Sequence, residues 1–278
     1  MEFSSYTETP YSIAARAEQL ISLKLSQIET TNAWRTIFSC IDLTTLEATD
    51  NDERINALCN QALDFANSDK HVSVAAICVY MPFVKLGRQL LHSSGIKVAT
   101  VSCSFPSGQL PLHLKLAETA WAAAQGADEI DMVISRGLML AGDHEAIFNE
   151  VKAVKAACGN AHLKVIIESG ELSDPAIIRK ASELALLAGA DFLKTSTGKV
   201  QPAATPEAAV VMLDTIKEYF EKTGRKVGFK PAGGIAEPES AMIYYNLVKG
   251  ILGESWLNPQ LFRIGASRLA SRVFSLIA

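Results

Sequence analysis

The sequence predicts an α/β protein built as a (β/α)8 TIM barrel with an N-terminal helical extension. Three observations carry that expectation. After residue 35, short β-rich runs alternate with longer helical patterns through eight repeats, which calls for a parallel sheet with right-handed crossovers. Polar residues recur at the C-terminal ends of these runs around the whole series, where an open doubly wound sheet would gather them at one switch point. The chain of 278 residues is also close to the roughly 250 typical of such a barrel.

Residues 1–35 contain no strand pattern and form the helical extension. Within it Ile13–Leu25 has the apolar spacing of an amphipathic helix, suited either to capping one barrel end or to a subunit contact, the second of which would make a homodimer. Residues 36–278 form the barrel domain. Its strands are expected at Ile37–Ile41, Val72–Val79, Lys97–Cys103, Glu129–Ile134, Leu163–Glu168, Phe192–Thr195, Val227–Lys230 and Phe262–Ile264. Between them Arg54–Ala66, Leu112–Gln125, Ala146–Ala157, Pro175–Leu187 and Pro206–Phe220 place apolar residues three and four apart, as helices do. Gly126-Ala127-Asp128 and Gly189-Ala190-Asp191 each join a helix to the next strand, the glycine ending the helix and the small residues allowing close packing on the sheet.

Composition narrows the function. With 49% hydrophobic and 20% charged residues the chain is of ordinary core-forming composition, and a net charge of −4 without an arginine-rich stripe offers no field for nucleic acid. No apolar run approaches the roughly 18 residues of a membrane span, and the polar, acidic start lacks the signal-peptide pattern. Five scattered cysteines, none arranged as C-x-x-C, fit reduced thiols in the cytoplasm.

Two lysines interrupt apolar strands. Lys194 lies near the end of the sixth strand and Lys230 ends the seventh, where alternation turns it, with Gly228, toward the barrel axis if Val227 and Phe229 pack outward. Gly228 is expected to leave space beside the lysine. A lone strand lysine most often pairs with a carboxylate or reaches solvent. Two neighbouring ammonium groups repel, lowering the pKa of at least one, and a neutral amine beside a cation is what carbonyl attack needs. Asp131 has the matching parity on the fourth strand, as a proton shuttle or as a lysine counter-ion, and Lys164 on the fifth strand has it too. Thr197-Gly198-Lys199, Gly233-Gly234 and Gly265-Ala266-Ser267 follow the sixth, seventh and eighth strands. Together they suit a phosphate group, since glycines let backbone N–H groups approach an anion and a helix N-terminus favours negative charge.

These residues bring out a family resemblance. From about Asp42 to Ser267 the chain is similar to the class I 2-deoxy-D-ribose-5-phosphate aldolases. The similarity is carried by DLTTL (Asp42–Leu46), AAICVY (Ala75–Tyr80), GADEIDMV (Gly126–Val133) and LKVIIESGEL (Leu163–Leu172), and above all by GADFLKTSTGK (Gly189–Lys199) and VGFKPAGGI (Val227–Ile235). The resemblance implies reversible cleavage of 2-deoxy-D-ribose 5-phosphate to D-glyceraldehyde 3-phosphate and acetaldehyde, with no cofactor and no metal. It makes Lys194 the Schiff-base lysine, Lys230 the neighbour that lowers its pKa, and Asp131 the carboxylate of a proton relay. It sets Gly198, Lys199, Gly233, Gly234 and Ser267 around the phosphate, and Asp42, Thr44, Cys78, Lys164 and Thr197 along the substrate pocket. The partners so implied are a phosphorylated sugar and aldehydes.

The chain departs from the family pattern in places. Ile235-Ala236 follows the Gly-Gly pair where many relatives have Val-Arg, and Arg268 stands where a second serine is common. Arg268 either supplies the missing charge to the phosphate or is a solvated surface residue. The sequence ends at Ala278 without the longer tail, ending in tyrosine, of some members, so slower enolisation is expected. A metal-dependent barrel lyase is the rival within the same class, but His71, His92, His113, His144 and His162 have no ligand spacing. A non-catalytic phosphosugar-binding barrel is the rival outside it. Such a barrel has no use for two inward lysines.

Overall fold

The structure is a computed structural model that describes residues 1–277. Its eight strands are β1 (Ile41–Thr44), β2 (Ala76–Val79), β3 (Lys97–Ser102), β4 (Glu129–Val133), β5 (His162–Ile166), β6 (Phe192–Lys194), β7 (Gly228–Lys230) and β8 (Ile264–Ala266). All pair in parallel, in the order β7-β6-β5-β4-β3-β2-β1-β8. Between β7 and β8 the ring meets through the bridges Phe229–Phe262 and Ala232–Gly265 in place of a continuous ladder. The expected TIM barrel is therefore present, nearly closed, with helices around it.

Alternation along each strand divides the interior. Ile77, Val98, Ile130, Met132, Leu163, Val165, Leu193 and Phe229 point outward and are buried under the helices. Inside the barrel, polar side chains replace the usual branched apolar layers over much of the space. The Gly-Ala-Asp phrases prove to be a repeated fastening device. Asp128 accepts the backbone N–H of Val98 at 2.8 Å and pairs with Arg88, while Asp191 accepts that of Leu163 at 2.8 Å and pairs with Lys155 and Arg225. Each aspartate thus ties the start of its own strand to the preceding strand and to helical or loop cations.

The N-terminal region holds two helices, α1 (Pro10–Ile21) and α2 (Gln27–Ser39). Helix α1 buries Ile13 and Ala17 and lies against helices Pro206–Thr223 and Pro238–Leu252, where Arg16 grips Asp214 through two hydrogen bonds of 2.7 and 2.8 Å. Helix α2 corrects the expected first strand, because most of Ile37–Ile41 belongs to it and β1 begins only at Ile41. Its start is a capping box: Ser26 Oγ accepts the N–H of Glu29, and Glu29 accepts the N–H of Ser26. Ala33, Ile37 and Phe38 then fall on one buried helical face. The last strand also lies later than expected, at Ile264–Ala266, since Phe262 and Arg263 are taken up in the junction with β7. The other elements match their expected positions to within a few residues at each end. All five cysteines are free and buried. Among the described residues no helix is long and apolar enough to cross a membrane.

Candidate active site

The inward faces of the strands assemble one buried ionic cluster. β1 contributes Asp42, β4 contributes Glu129 and Asp131, β5 contributes Lys164, β6 contributes Lys194 and β7 contributes Lys230, with Arg263 from the segment before β8. Asp131 is its hub. Its Oδ1 accepts from Lys164 Nζ at 2.8 Å, and its Oδ2 accepts from Lys194 and from Lys230, each at 2.7 Å. Lys230 also donates to Asp42 Oδ2. Arg263 joins Asp42 Oδ1 at 2.7 Å to both oxygens of Glu129, and Lys164 reaches Glu129 at 2.6 Å.

Charge counting shows where the cluster disfavours a proton. Asp42, Glu129 and Asp131 oppose Lys164, Lys194, Lys230 and Arg263, all buried, so full ionisation leaves one cation in excess. An uncompensated buried charge is costly, and the least costly remedy is a neutral amine. Burial pushes Lys194 below the ordinary lysine range, and the Lys230 cation adds to that effect against the pull of Asp131. Burial also opposes the charge on Lys230 and Lys164, but the carboxylates around each, Asp131 first, hold both above that range. Asp131 itself is held well below the carboxylate range: burial works against its charge, and Lys164, Lys194 and Lys230 outweigh it. Lys97 touches Glu129 at 2.9 Å but is partly exposed, so water carries much of its charge.

Above this cluster opens a cavity of about 200 Å³ lined by Thr44, Leu46, Glu47, Lys194, Thr197, Gly198, Lys199, the Ala232–Ala236 turn, Gly265, Ala266, Ser267 and Arg268. Lys194 is 3% exposed at its floor, while Lys164 and Lys230 are sealed at 0%. Three glycines on its wall, Gly198, Gly233 and Gly234, have φ of 78°, 86° and 79°. Among the described residues none accepts a hydrogen bond from their N–H groups. A Cβ on Gly233 would stand 2.8 Å from the Cα of Gly198 and 2.6 Å from Ala203 Cβ, so the two loops approach this closely only with a glycine at 233. The result is a concave wall of backbone donors beside the N-terminus of helix Leu269–Leu276, suited to a dianion. Lys199 Nζ is 3.1 Å from Glu47 across the mouth, and Arg268 is exposed there without an ion pair among the described residues.

Of the residues singled out from the sequence, Lys194, Thr44, Thr197, Gly198, Lys199, Gly233, Gly234, Ser267 and Arg268 line the cavity. Asp131, Lys230, Lys164, Asp42 and Cys78 lie beneath it, each no more than 1% exposed. Gly228 does not leave space beside Lys230: a Cβ there would stand 2.2 Å from the Phe192 ring, which fills that position. The clearance comes from Gly265, where a Cβ would stand 3.2 Å from Lys230 Cε. Sequence reasoning missed Glu129 and Arg263. The first was open to the parity argument, being two residues before Asp131, and the second sits as a lone cation between Phe262 and Ile264. It also missed Glu168, which ends the expected fifth strand at the parity of Lys164, and Glu47, for which no periodic signal exists.

Comparison with known proteins agrees with this geometry. Residues 36–243 match the model of the DeoC/LacD family aldolases. Over 273 residues the chain is 43% identical to deoxyribose-phosphate aldolase of Homo sapiens and 42% identical to that of Bos taurus, with 94% of this chain and 86% of each relative covered. A solved tetrameric deoxyribose phosphate aldolase from Aeropyrum pernix superposes with a TM-score of 0.69 at 25% identity, over 90% of this chain and 97% of that one. A crystal structure from Toxoplasma gondii ME49 gives 0.79 at 26% identity, over 90% and 96%. A buried amine with a lowered pKa at the floor of a glycine-walled cavity, and a family match across most of the barrel, lead to one conclusion: this chain belongs to the DeoC/LacD family of aldolases.

Proposed function

We propose that this aldolase cleaves 2-deoxy-D-ribose 5-phosphate reversibly to D-glyceraldehyde 3-phosphate and acetaldehyde, through an imine on Lys194. One observation supports the choice of lysine most directly. Among the three lysines of the buried cluster, Lys194 lines the cavity, whereas Lys164 and Lys230 lie sealed beneath it.

The neutral Nζ of Lys194 attacks C1 of the open-chain aldehyde, and the carbinolamine loses water to give an iminium ion. Acetaldehyde carries C1 and C2, so the bond that breaks is C2–C3. The C3 hydroxyl gives up its proton, its C–O becomes the carbonyl of glyceraldehyde 3-phosphate, and the C2–C3 electron pair moves into the iminium to form an enamine. A proton returned to C2 regenerates the iminium, and water releases acetaldehyde and the free amine. Asp131 and Lys230 serve these transfers through bound water, Asp131 as acceptor and Lys230 as a permanently charged neighbour. The imine supplies the electron sink, so the sequence of steps calls on no cofactor. The substrate phosphate sits against the N–H groups of Gly198, Gly233 and Gly234, with Lys199, Ser267 and Arg268 beside it.

The test is Lys194→Ala. Removing this amine leaves Asp131 with two other cations and only a small cavity, so the barrel persists. Aldehyde release from the phosphorylated sugar should vanish while the thermal transition is retained. Cleavage at the parent rate would remove Lys194 from the mechanism.

A further inference from the structure

Glu168 is fully buried next to the cavity, yet it lies outside the ionic cluster and no step above uses it. Its backbone stands at φ 55° and ψ 60°, a left-handed conformation that an L side chain seldom adopts and that persists only where surrounding contacts impose it. Both carboxylate oxygens are engaged by one residue: Oε1 accepts the N–H of Thr197 at 3.1 Å, and Oε2 accepts the Thr197 hydroxyl at 2.6 Å. The same hydroxyl oxygen accepts the N–H of Lys199 at 3.1 Å. Two of the three amides in Thr197-Gly198-Lys199 are thereby engaged, and among the described residues the N–H of Gly198 is the one left without a partner.

Behind Glu168 stands a second anchor. Arg136 donates to Glu168 Oε2 at 3.3 Å and pairs with Glu171 at 2.8 Å, while its other terminal nitrogen donates to the carbonyls of Pro106 at 3.1 Å and Ser107 at 2.7 Å. One guanidinium therefore ties the loops after β3, β4 and β5 together, and Glu168 passes that constraint to the loop after β6.

We propose that Glu168 is a positioning residue for phosphate recognition: by holding both donors of Thr197 it fixes the turn that presents the Gly198 N–H and the Lys199 side chain to the substrate phosphate. This rests on the reading of the glycine-lined cavity as the phosphate site. Glu168 touches no substrate atom and acts through Thr197.

Glu168→Gln tests it, because glutamine keeps the shape but offers one acceptor oxygen and one NH2 donor where two acceptors are needed. Lost preorganisation of a binding contact should appear in KM, not in the chemical step. KM for 2-deoxy-D-ribose 5-phosphate and the inhibition constant of inorganic phosphate should both rise roughly tenfold, with a far smaller change in kcat per borohydride-trapped site. The preference for phosphorylated over unphosphorylated deoxyribose should fall by a similar factor. Thr197→Val removes the hydroxyl from the same contact and should reproduce the shift, and the double variant should be little worse than either single one. If Glu168→Gln does not fold, Thr197→Val carries the test alone. Unchanged phosphate inhibition in the variants, or equal losses on both sugars, overturns the positioning role while leaving the phosphate site in place. A parent enzyme indifferent to inorganic phosphate and to the substrate phosphate overturns both.

Discussion

Lys194 and Lys230 donate to the same oxygen, Oδ2 of Asp131, each at 2.7 Å. One carboxylate oxygen compensates two buried ammonium groups poorly. The charge is least favoured where compensation is poorest: Lys230 has Asp42 as a second carboxylate partner, while Lys194 has no second one among the described residues. The contrast between a depressed Lys194 and an elevated Lys230 follows from that difference in partners.

Lys230→Leu should therefore reverse the state of Lys194. With the neighbouring cation gone, Asp131 faces fewer positive charges and the Lys194 pKa rises. Cleavage at neutral pH should fall steeply and recover partly as the pH is raised. A pH–rate profile parallel to that of the parent contradicts the electrostatic role of Lys230.

Proton linkage gives a prediction that needs no substrate. Lys194 has a lowered pKa in the fold, so between that value and the ordinary lysine value of about 10.4 the unfolded chain binds one more proton. In that window this residue makes stability rise with pH, by about 1.4 kcal/mol per unit for a full proton. The raised lysines, Lys164 and Lys230, contribute stability that is fully present below about 10.4 and so cancel in a comparison with a Lys194 variant. Lys194→Met should accordingly exceed the parent in urea stability at pH 7, with the gap closing toward pH 10. A gap independent of pH means that Lys194 keeps its proton.

The exposed guanidinium of Arg268 lines the cavity where the Ile235-Ala236 segment offers no charge. Arg268→Ser should raise KM for the phosphorylated sugar about tenfold, the loss of a charge-assisted contact made equally in ground and transition states. Unphosphorylated deoxyribose should be affected far less. A KM within about twofold of the parent assigns Arg268 to the surface and leaves the task to the glycine amides and Lys199.

What was legible in the sequence followed from alternation. Lys194, Lys230, Asp131 and Lys164 stand out because each interrupts an apolar strand with the parity that faces the axis. Glu129 obeys the same rule, but at a strand start it reads equally well as a solvated end. Ile37 and Phe38 suggested a strand by composition, while the Ser26–Glu29 capping box eleven residues before Ile37 marked the helix that holds them. Gly228 was misjudged because a missing side chain says nothing of which neighbour enters its space, and Phe192 comes from another strand. Glu168 shares the parity of Lys164 on the expected strand but falls just past the observed end of β5, and Glu47 lies in a loop, so the contacts of both depend on how the strand ends are brought together.

Trapping identifies whether Lys194 is the nucleophile. The enzyme is incubated with acetaldehyde, reduced with borohydride, digested and mapped by mass spectrometry. One two-carbon adduct is expected, on Lys194, dependent on reduction and absent from Lys194→Ala. An adduct on Lys230 or Lys199, or none in an active preparation, contradicts that role.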